Sequence, residues 1–220
     1  MRYPIFTACI AAACMLAIAP APVAAGASQR LFEIPGHGLL GLEGMGYWEQ
    51  QVDFLAADGF PRIHLYNDTG IFSADRGERI RITVTPAWRT PDTQRDFGTE
   101  QGIRRIVQQY ADETAASLAL DSLELVPVGR DKIGFWFLAS DNGFFSKKLD
   151  DGFRHMRQGA LVVGELVVTF IILSDDERYT EGDFAVLLMT HAEHLKGTCN
   201  GVTTSCYSYT NDLPRPVDPR

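Results

Sequence analysis

The spacing of apolar residues follows a two-residue period in several parts of the chain and a helical period in others. Residues 79–85 alternate strictly between polar and apolar side chains, which is the pattern of a strand with one buried face. Residues 62–66 alternate in the same way, and residues 38–45 alternate more loosely. The apolar residues of the first of these segments are Ile80, Ile82 and Val84. Three strands are therefore predicted in the first half of the chain.

A helical period begins after a polar loop that ends near residue 98. Apolar and small side chains recur every three to four residues, and charged or amide side chains occupy the opposite side. The apolar stripe consists of Ile103, Ile106, Val107, Tyr110, Ala111, Thr114, Ala115 and Leu118. Thr99 is a suitable N-cap immediately before it. We expect a long amphipathic helix that lies on a sheet.

Four further strands and a second helix are predicted after this helix. The strands are expected at 123–128, 133–140, 153–162 and 166–173, and turn signals separate them. The last of them is apolar on both faces, which indicates a central strand. The second helix is expected to begin near Thr180 and to end before Gly197. Its predicted buried stripe consists of Phe184, Leu187, Leu188, His191 and Leu195.

This order of elements predicts an α+β fold rather than a regular alternation of strands and helices. More specifically, we expect an αβα sandwich with a mainly antiparallel sheet flanked by two principal helices. A single domain is predicted over residues 38–206. Residues 28–37 are expected to form a flexible lead-in, and residues 207–220 a loose C-terminal tail rich in Pro and Asp.

Residues 1–27 have the pattern of a secretory signal peptide. Arg2 supplies the positive charge, residues 5–18 are mainly apolar, and Ala25 and Ala27 complete small-residue cleavage sites. Prolines interrupt the apolar run, which is shorter than the roughly 20 residues that span a bilayer. Cys14 follows three alanines, as in a lipoprotein, but the apolar run continues past it and argues against lipidation. We expect a periplasmic or secreted protein without stable membrane insertion after cleavage.

The charge of the chain argues against one class of partner, and its cysteines predict a disulfide. The chain has 20 basic and 28 acidic residues, and this excess of negative charge argues against nucleic acid as a partner. Removal of the signal peptide leaves Cys199 and Cys206, and an even pair in an oxidising compartment predicts a disulfide. The spacing is not C-x-x-C, so we expect a structural disulfide rather than a redox-active pair.

The order of these segments resembles the PsbP/Mog1-like superfamily. The resemblance rests on the G-x-L-x-L strand of Gly38–Leu42, the aromatic pair that follows it, the I-x-I-x-V strand at 80–84, and the helix, antiparallel strands and closing helix after it. It covers residues 38–197. The resemblance implies an αβα sandwich and an accessory, binding or assembly role. It implies no catalytic residues.

Two histidines of the second predicted helix are candidate metal ligands. His191 and His194 are three residues apart, so on a helix they would share one side, with Cys199 just beyond the helix end. The zinc motif H-E-x-x-H is absent, because the sequence here reads H-A-E-H. His191 also fits the apolar stripe as a hydrogen-bonded core residue, and an oxidised cysteine does not ligate metals. Metal binding is therefore the alternative, and no cofactor is predicted.

Large aromatic residues outside the regular apolar pattern are candidates for a ligand or partner patch. They are Tyr47, Trp48, Trp136, Phe144 and Phe145, and core packing is the alternative for each. Trp136 is expected on the strand face opposite Phe135 and Phe137. No G-x-S-x-G or G-x-x-x-x-G-K motif occurs, which lowers the expectation of catalysis without excluding it.

The sequence therefore predicts an exported, non-enzymatic accessory protein that binds a protein partner or a small ligand. The alternative is an extracytoplasmic metal-binding protein or metallohydrolase that uses His191 and His194.

Overall fold

The computed structural model describes residues 28–44, 49–54, 60–67, 79–90, 95–129, 131–140, 153–175, 180–200, 206–208 and 215–216. In chain order the elements are β1 (Ser28–Ile34), β2 (Gly38–Gly44), β3 (Glu49–Phe54), β4 (Pro61–Asn67), β5 (Ile80–Trp88), α1 (Glu100–Leu118), β6 (Val126–Pro127), β7 (Gly134–Ser140), β8 (His155–Val163), β9 (Leu166–Ser174), α2 (Thr180–Thr190), β10 (Glu193–Leu195), β11 (Cys206–Ser208) and β12 (Arg215–Pro216). The fold is α+β, as predicted, and its strands form two mainly antiparallel sheets.

The larger sheet has seven strands in the order β3-β4-β5-β9-β8-β7-β6, and every neighbouring pair is antiparallel. β5 pairs with β9 over its full length, from Ile80 opposite Ser174 to Trp88 opposite Leu166. The strictly alternating segment is thus a strand, and its apolar face is buried. The apolar run at 166–173 lies between two neighbouring strands, as predicted for a central strand. The first of the four later strands is much shorter than expected, because only Val126 and Pro127 pair with β7.

The smaller sheet has five strands in the order β10-β2-β1-β11-β12. It corrects two predictions about the ends of the domain. Residues 28–34, expected in a flexible lead-in, form β1, which pairs with β2 from Ser28 opposite Gly44 to Ile34 opposite Gly38. Tyr207, expected in a loose tail, lies in β11, beside β1, and its ring stacks on Phe32 at 5.3 Å. Buried apolar side chains of β1 explain why this segment is ordered.

Helix α1 buries the predicted apolar stripe against β7 and β8. Its stripe residues Ile103, Val107 and Ala111 share a core cluster with side chains of those strands, including Phe137. The Thr99 side chain caps the helix by accepting a hydrogen bond from the Gly102 amide at 3.1 Å. This bond satisfies one of the amides that the first turn leaves without a helical partner.

Helix α2 packs into a second core cluster, between the larger sheet and β2 of the smaller one. Leu188 is buried as predicted, but Leu187 is 49% exposed. The predicted C-terminal boundary is wrong, because the helix ends at Thr190 and Glu193–Leu195 forms β10 beside β2. The predicted stripe thus joined residues of a helix and of a strand. Pairing with β2 satisfies backbone groups of this segment that a helix would otherwise have satisfied.

Candidate functional site

A cavity of about 460 Å³ opens where the smaller sheet meets the turn between β8 and β9. We call it the inter-sheet pocket. The residues that line it include Glu33, His37, Glu165, His194, Lys196 and Thr198, together with Gly36, Gly38 and Gly197. Three parts of the chain that are distant in sequence meet here: the β1–β2 turn, the β8–β9 turn and the segment around β10.

Glycines permit the close approach of these three parts. Gly38 and Gly164 both have positive φ angles, of 82° and 60°, which glycine adopts without the strain that other residues incur. A Cβ atom on Gly38 would collide with the Leu195 carbonyl oxygen. A Cβ atom on Gly164 would lie 2.6 Å from Nδ1 of His194. The His194 ring therefore lies where only a glycine leaves enough room.

The two ring nitrogens of His194 have different backbone partners. Nε2 lies 2.6 Å from the His37 carbonyl oxygen, and the Glu165 amide donates to Nδ1 at 3.3 Å. A carbonyl oxygen only accepts and an amide only donates, so in this arrangement Nε2 is the donor and Nδ1 is the acceptor. His194 thereby connects both turns to β10 and forms a wall of the inter-sheet pocket.

The other charged side chains of the pocket have fewer hydrogen-bond partners than His194. Glu33 is half-buried, and its Oε2 accepts a hydrogen bond from the Cys199 amide at 3.2 Å. Among the described residues, Glu165 and Lys196 have no hydrogen-bond or ion-pair partner for their side chains. The His37 ring stacks on Trp88 at a centroid distance of 4.3 Å. The pocket thus presents charged groups of both signs beside a fixed aromatic surface.

Cys199 and Cys206 form the predicted disulfide beside this pocket, with Cα atoms 5.5 Å apart. Both cysteines are buried with Leu31 and Leu39 of the smaller sheet. The disulfide joins the chain after β10 to the start of β11, which pairs with β1. It therefore ties the residue that follows Thr198 to the smaller sheet.

The expected arrangement of His191 and His194 on one helix face is wrong, because both follow the last residue of α2. His191 is exposed and lies 2.6 Å from Glu43, whereas His194 lies in β10. Cys199 is oxidised and does not complete a ligand set. Within the described parts of the chain, no group of three or more His, Cys, Asp and Glu side chains has an arrangement suited to a metal ion.

Of the predicted aromatic patch, the structure describes Trp136 alone. It is half-buried against the cluster that contains α2, while Phe135 and Phe137 face the α1 cluster. The predicted opposition of these strand faces is therefore confirmed. Tyr47, Trp48, Phe144 and Phe145 lie outside the described residues.

A buried polar cluster near the start of α2 was not foreseen. The Arg157 side chain is fully buried in β8, and its Nε and Nη2 both lie 2.9 Å from Asp183 Oδ1. Nη1 donates to Ser174 at 3.3 Å. Gly182 faces the guanidinium closely, and no side chain fits between them. A glycine beside an acidic residue at a helix start is the only local sign of this arrangement in the sequence.

Lys132 connects the larger sheet to the turn between α2 and β10. Its Nζ donates to the Ala192 carbonyl oxygen at 2.5 Å. Burial lowers the pKa of this ammonium group, and the nearby Glu193 carboxylate partly opposes that effect. The contact satisfies a carbonyl that follows the helix end.

Comparison of the chain with protein-family models, with curated proteins and with solved structures gives no significant match. In the described part of the chain, neither helix combines the length and the apolar composition that crossing a membrane requires.

Proposed function

We propose that this protein is an exported accessory protein that binds a small ligand through the inter-sheet pocket and catalyses no reaction. A periplasmic or secreted location rests on the signal-peptide pattern of residues 1–27. The observation that carries the proposal is the pocket of about 460 Å³ with charged side chains that lack partners within the described residues. Pockets of roughly 300–1,000 Å³ with a few well-placed polar groups are typical of ligand sites.

The construction of the pocket supports a binding role. Its walls are held by the His194 hydrogen bonds and by the adjacent disulfide, so little ordering entropy remains to be lost when a ligand enters. A pre-organised site of this kind binds without a large conformational change.

The hydrogen bonds of His194 favour a role for this residue in shaping the pocket. A general base needs a ring nitrogen that is able to reach a substrate proton. Both ring nitrogens of His194 already bond to backbone groups, so this histidine acts through the shape of the pocket.

We also propose that the fold is an αβα sandwich of the PsbP/Mog1-like kind. Two observations support it: α1 packs on β7 and β8, and α2 belongs to the other core cluster with the opposite side chains of β9. In this interpretation two principal helices flank the larger sheet, and the smaller sheet covers part of the α2 side.

A thermal-shift screen against a small-molecule library tests the binding role. The variant Thr198→Trp places a large side chain at the pocket wall without disturbing a described core residue, because Thr198 is exposed. Gln109→Trp, on the exposed side of α1, is the matched control.

We expect compounds that raise the melting temperature of the wild-type chain and of Gln109→Trp but not of Thr198→Trp. Hits that stabilise all three chains equally, or none at all, would refute binding at this pocket.

Fractionation of expressing cells, with mass measurement of the N-terminus, tests export. We expect a chain that begins near residue 26 or 28 in the exported fraction. An intact chain in the cytoplasm would contradict export.

A further inference from the structure

The charges of the inter-sheet pocket indicate the chemical class of its ligand. Glu33 extends from β1 of the smaller sheet, and Glu165 lies in the β8–β9 turn of the larger sheet. Lys196 lies just after β10. Carboxylates from two sheets and one ammonium group therefore surround a single cavity.

These groups are not neutralised by one another. Glu165 and Lys196 lack described side-chain partners, and one oxygen of Glu33 is engaged by the Cys199 amide. The Glu165 and Lys196 side chains are exposed to solvent, so a ligand that removes water from them binds favourably only if it supplies an opposite charge or a hydrogen bond. A ligand with only one charged end would leave either the carboxylates or the ammonium group uncompensated.

The volume and the lining of the site suit a compact ligand with charged ends. Gly36, Gly38 and Gly197, which have no side chains, line the same cavity. Backbone amides and carbonyls of such turns are a recurring means of holding the charged ends of peptides. The His37 ring, stacked on Trp88, supplies a flat surface on the same side as the β1–β2 turn.

We propose that the inter-sheet pocket binds an amino-acid-like zwitterion of the size of a dipeptide. Glu165, with Glu33, binds the ammonium end, and Lys196 binds the carboxylate end. This inference rests on the proposed binding function and adds the identity of the ligand class to it.

Isothermal titration calorimetry with glycylglycine and two capped analogues tests the assignment. N-acetylglycylglycine lacks the ammonium group, and glycylglycinamide lacks the carboxylate. We expect glycylglycine to bind the wild-type chain at least tenfold more tightly than either analogue. Glu165→Gln and Lys196→Met should each weaken glycylglycine binding by at least tenfold, and the exposed control Glu124→Gln should leave it unchanged.

The analogues separate the two ends of the site. Glu165→Gln should not further weaken the acetylated analogue, and Lys196→Met should not further weaken the amide, because each analogue already lacks the group that the residue binds. Equal affinity for all three probes, or no binding of any, would overturn the zwitterion assignment. If the library screen still finds compounds that Thr198→Trp excludes, the binding function stands without it; if it finds none, both proposals fail.

Discussion

Gly182 lies in the first turn of α2, against the guanidinium of the fully buried Arg157. Replacement of a helical glycine by alanine ordinarily stabilises a protein, by up to about 1 kcal/mol. Here a Cβ atom would collide with Nη1 of Arg157. The guanidinium would have to move, although it is bonded to Asp183 and to Ser174. We therefore predict that Gly182→Ala destabilises the chain.

The magnitude follows from the bonds that the displacement breaks. A hydrogen bond to a charged group contributes about 1.5–3 kcal/mol to the free energy of unfolding. Asp183 is 62% exposed at its side chain, so its interaction with Arg157 is screened and the lower end applies. The substitution loses one such bond and strains the packed core, and it gains some helix propensity. The net loss in the free energy of unfolding is about 2 kcal/mol.

Urea unfolding of a double-mutant cycle measures this effect. In the Arg157→Ala background the space beside residue 182 is empty, so Gly182→Ala should cost nothing or should stabilise. The coupling between the two substitutions should be about 2–3 kcal/mol, because the gain in helix propensity of up to about 1 kcal/mol is retained in the Arg157→Ala background. Stabilisation by Gly182→Ala in the wild-type background, or an equal effect in both backgrounds, would refute the close packing of Arg157 against α2.

Three further predictions concern the rest of the fold. Ala119 ends α1 with a left-handed φ of 56°, so Ala119→Gly should raise the free energy of unfolding by about 1 kcal/mol in urea denaturation, and a loss would contradict this cap. Replacement of both Cys199 and Cys206 by serine opens a disulfide with a sequence separation of 7 and should cost about 2.5 kcal/mol, with β1–β2 pairing retained in amide exchange. Burial, aided by Glu113, raises the pKa of Tyr110 above its ordinary value of 10.0. The unfolded phenol therefore ionises first, so stability should be lost as the pH rises through the folded pKa, and a Tyr110→Phe variant should lose less over that range.

The elements that the sequence predicted well are those with strong local patterns. The alternation at 79–85 and the helical stripe after Thr99 bury their apolar faces as expected. Each pattern extends over several residues and depends on neighbours that are close in sequence, so its meaning did not depend on the rest of the chain. The disulfide was equally predictable, because Cys199 and Cys206 are the two cysteines that would remain after removal of the predicted signal peptide.

The elements that the sequence missed depend on distant partners. Glu193–Leu195 continues the apolar spacing of α2, but it pairs with residues 39–41, about 150 positions earlier in the chain. β11 is likewise a short segment that lies beside β1, at the other end of the domain. Three-residue strands carry almost no periodic signal, so tertiary pairing decides their conformation.

The pocket was missed for a related reason. The partners of His194 are backbone groups at residues 37 and 165. The spacing of side chains along the sequence does not indicate a hydrogen bond to a backbone group. The sequence suggests His194 as a candidate ligand, but its role depends on the β1–β2 turn and the β8–β9 turn, which are far apart in the sequence. Gly38 and Gly164 were the available signals, because both leave room that a side chain would fill.

The most direct test of the binding function is two-dimensional NMR of the isotopically labelled chain, titrated with each compound that stabilises it in the thermal-shift screen. We predict that the largest amide shifts occur at Gly36, Gly38, Glu165 and Lys196, which line the inter-sheet pocket. The Thr198→Trp variant should abolish these shifts. Shifts confined to the exposed side of α1, or shifts that persist in Thr198→Trp, would show that the pocket is not the binding site.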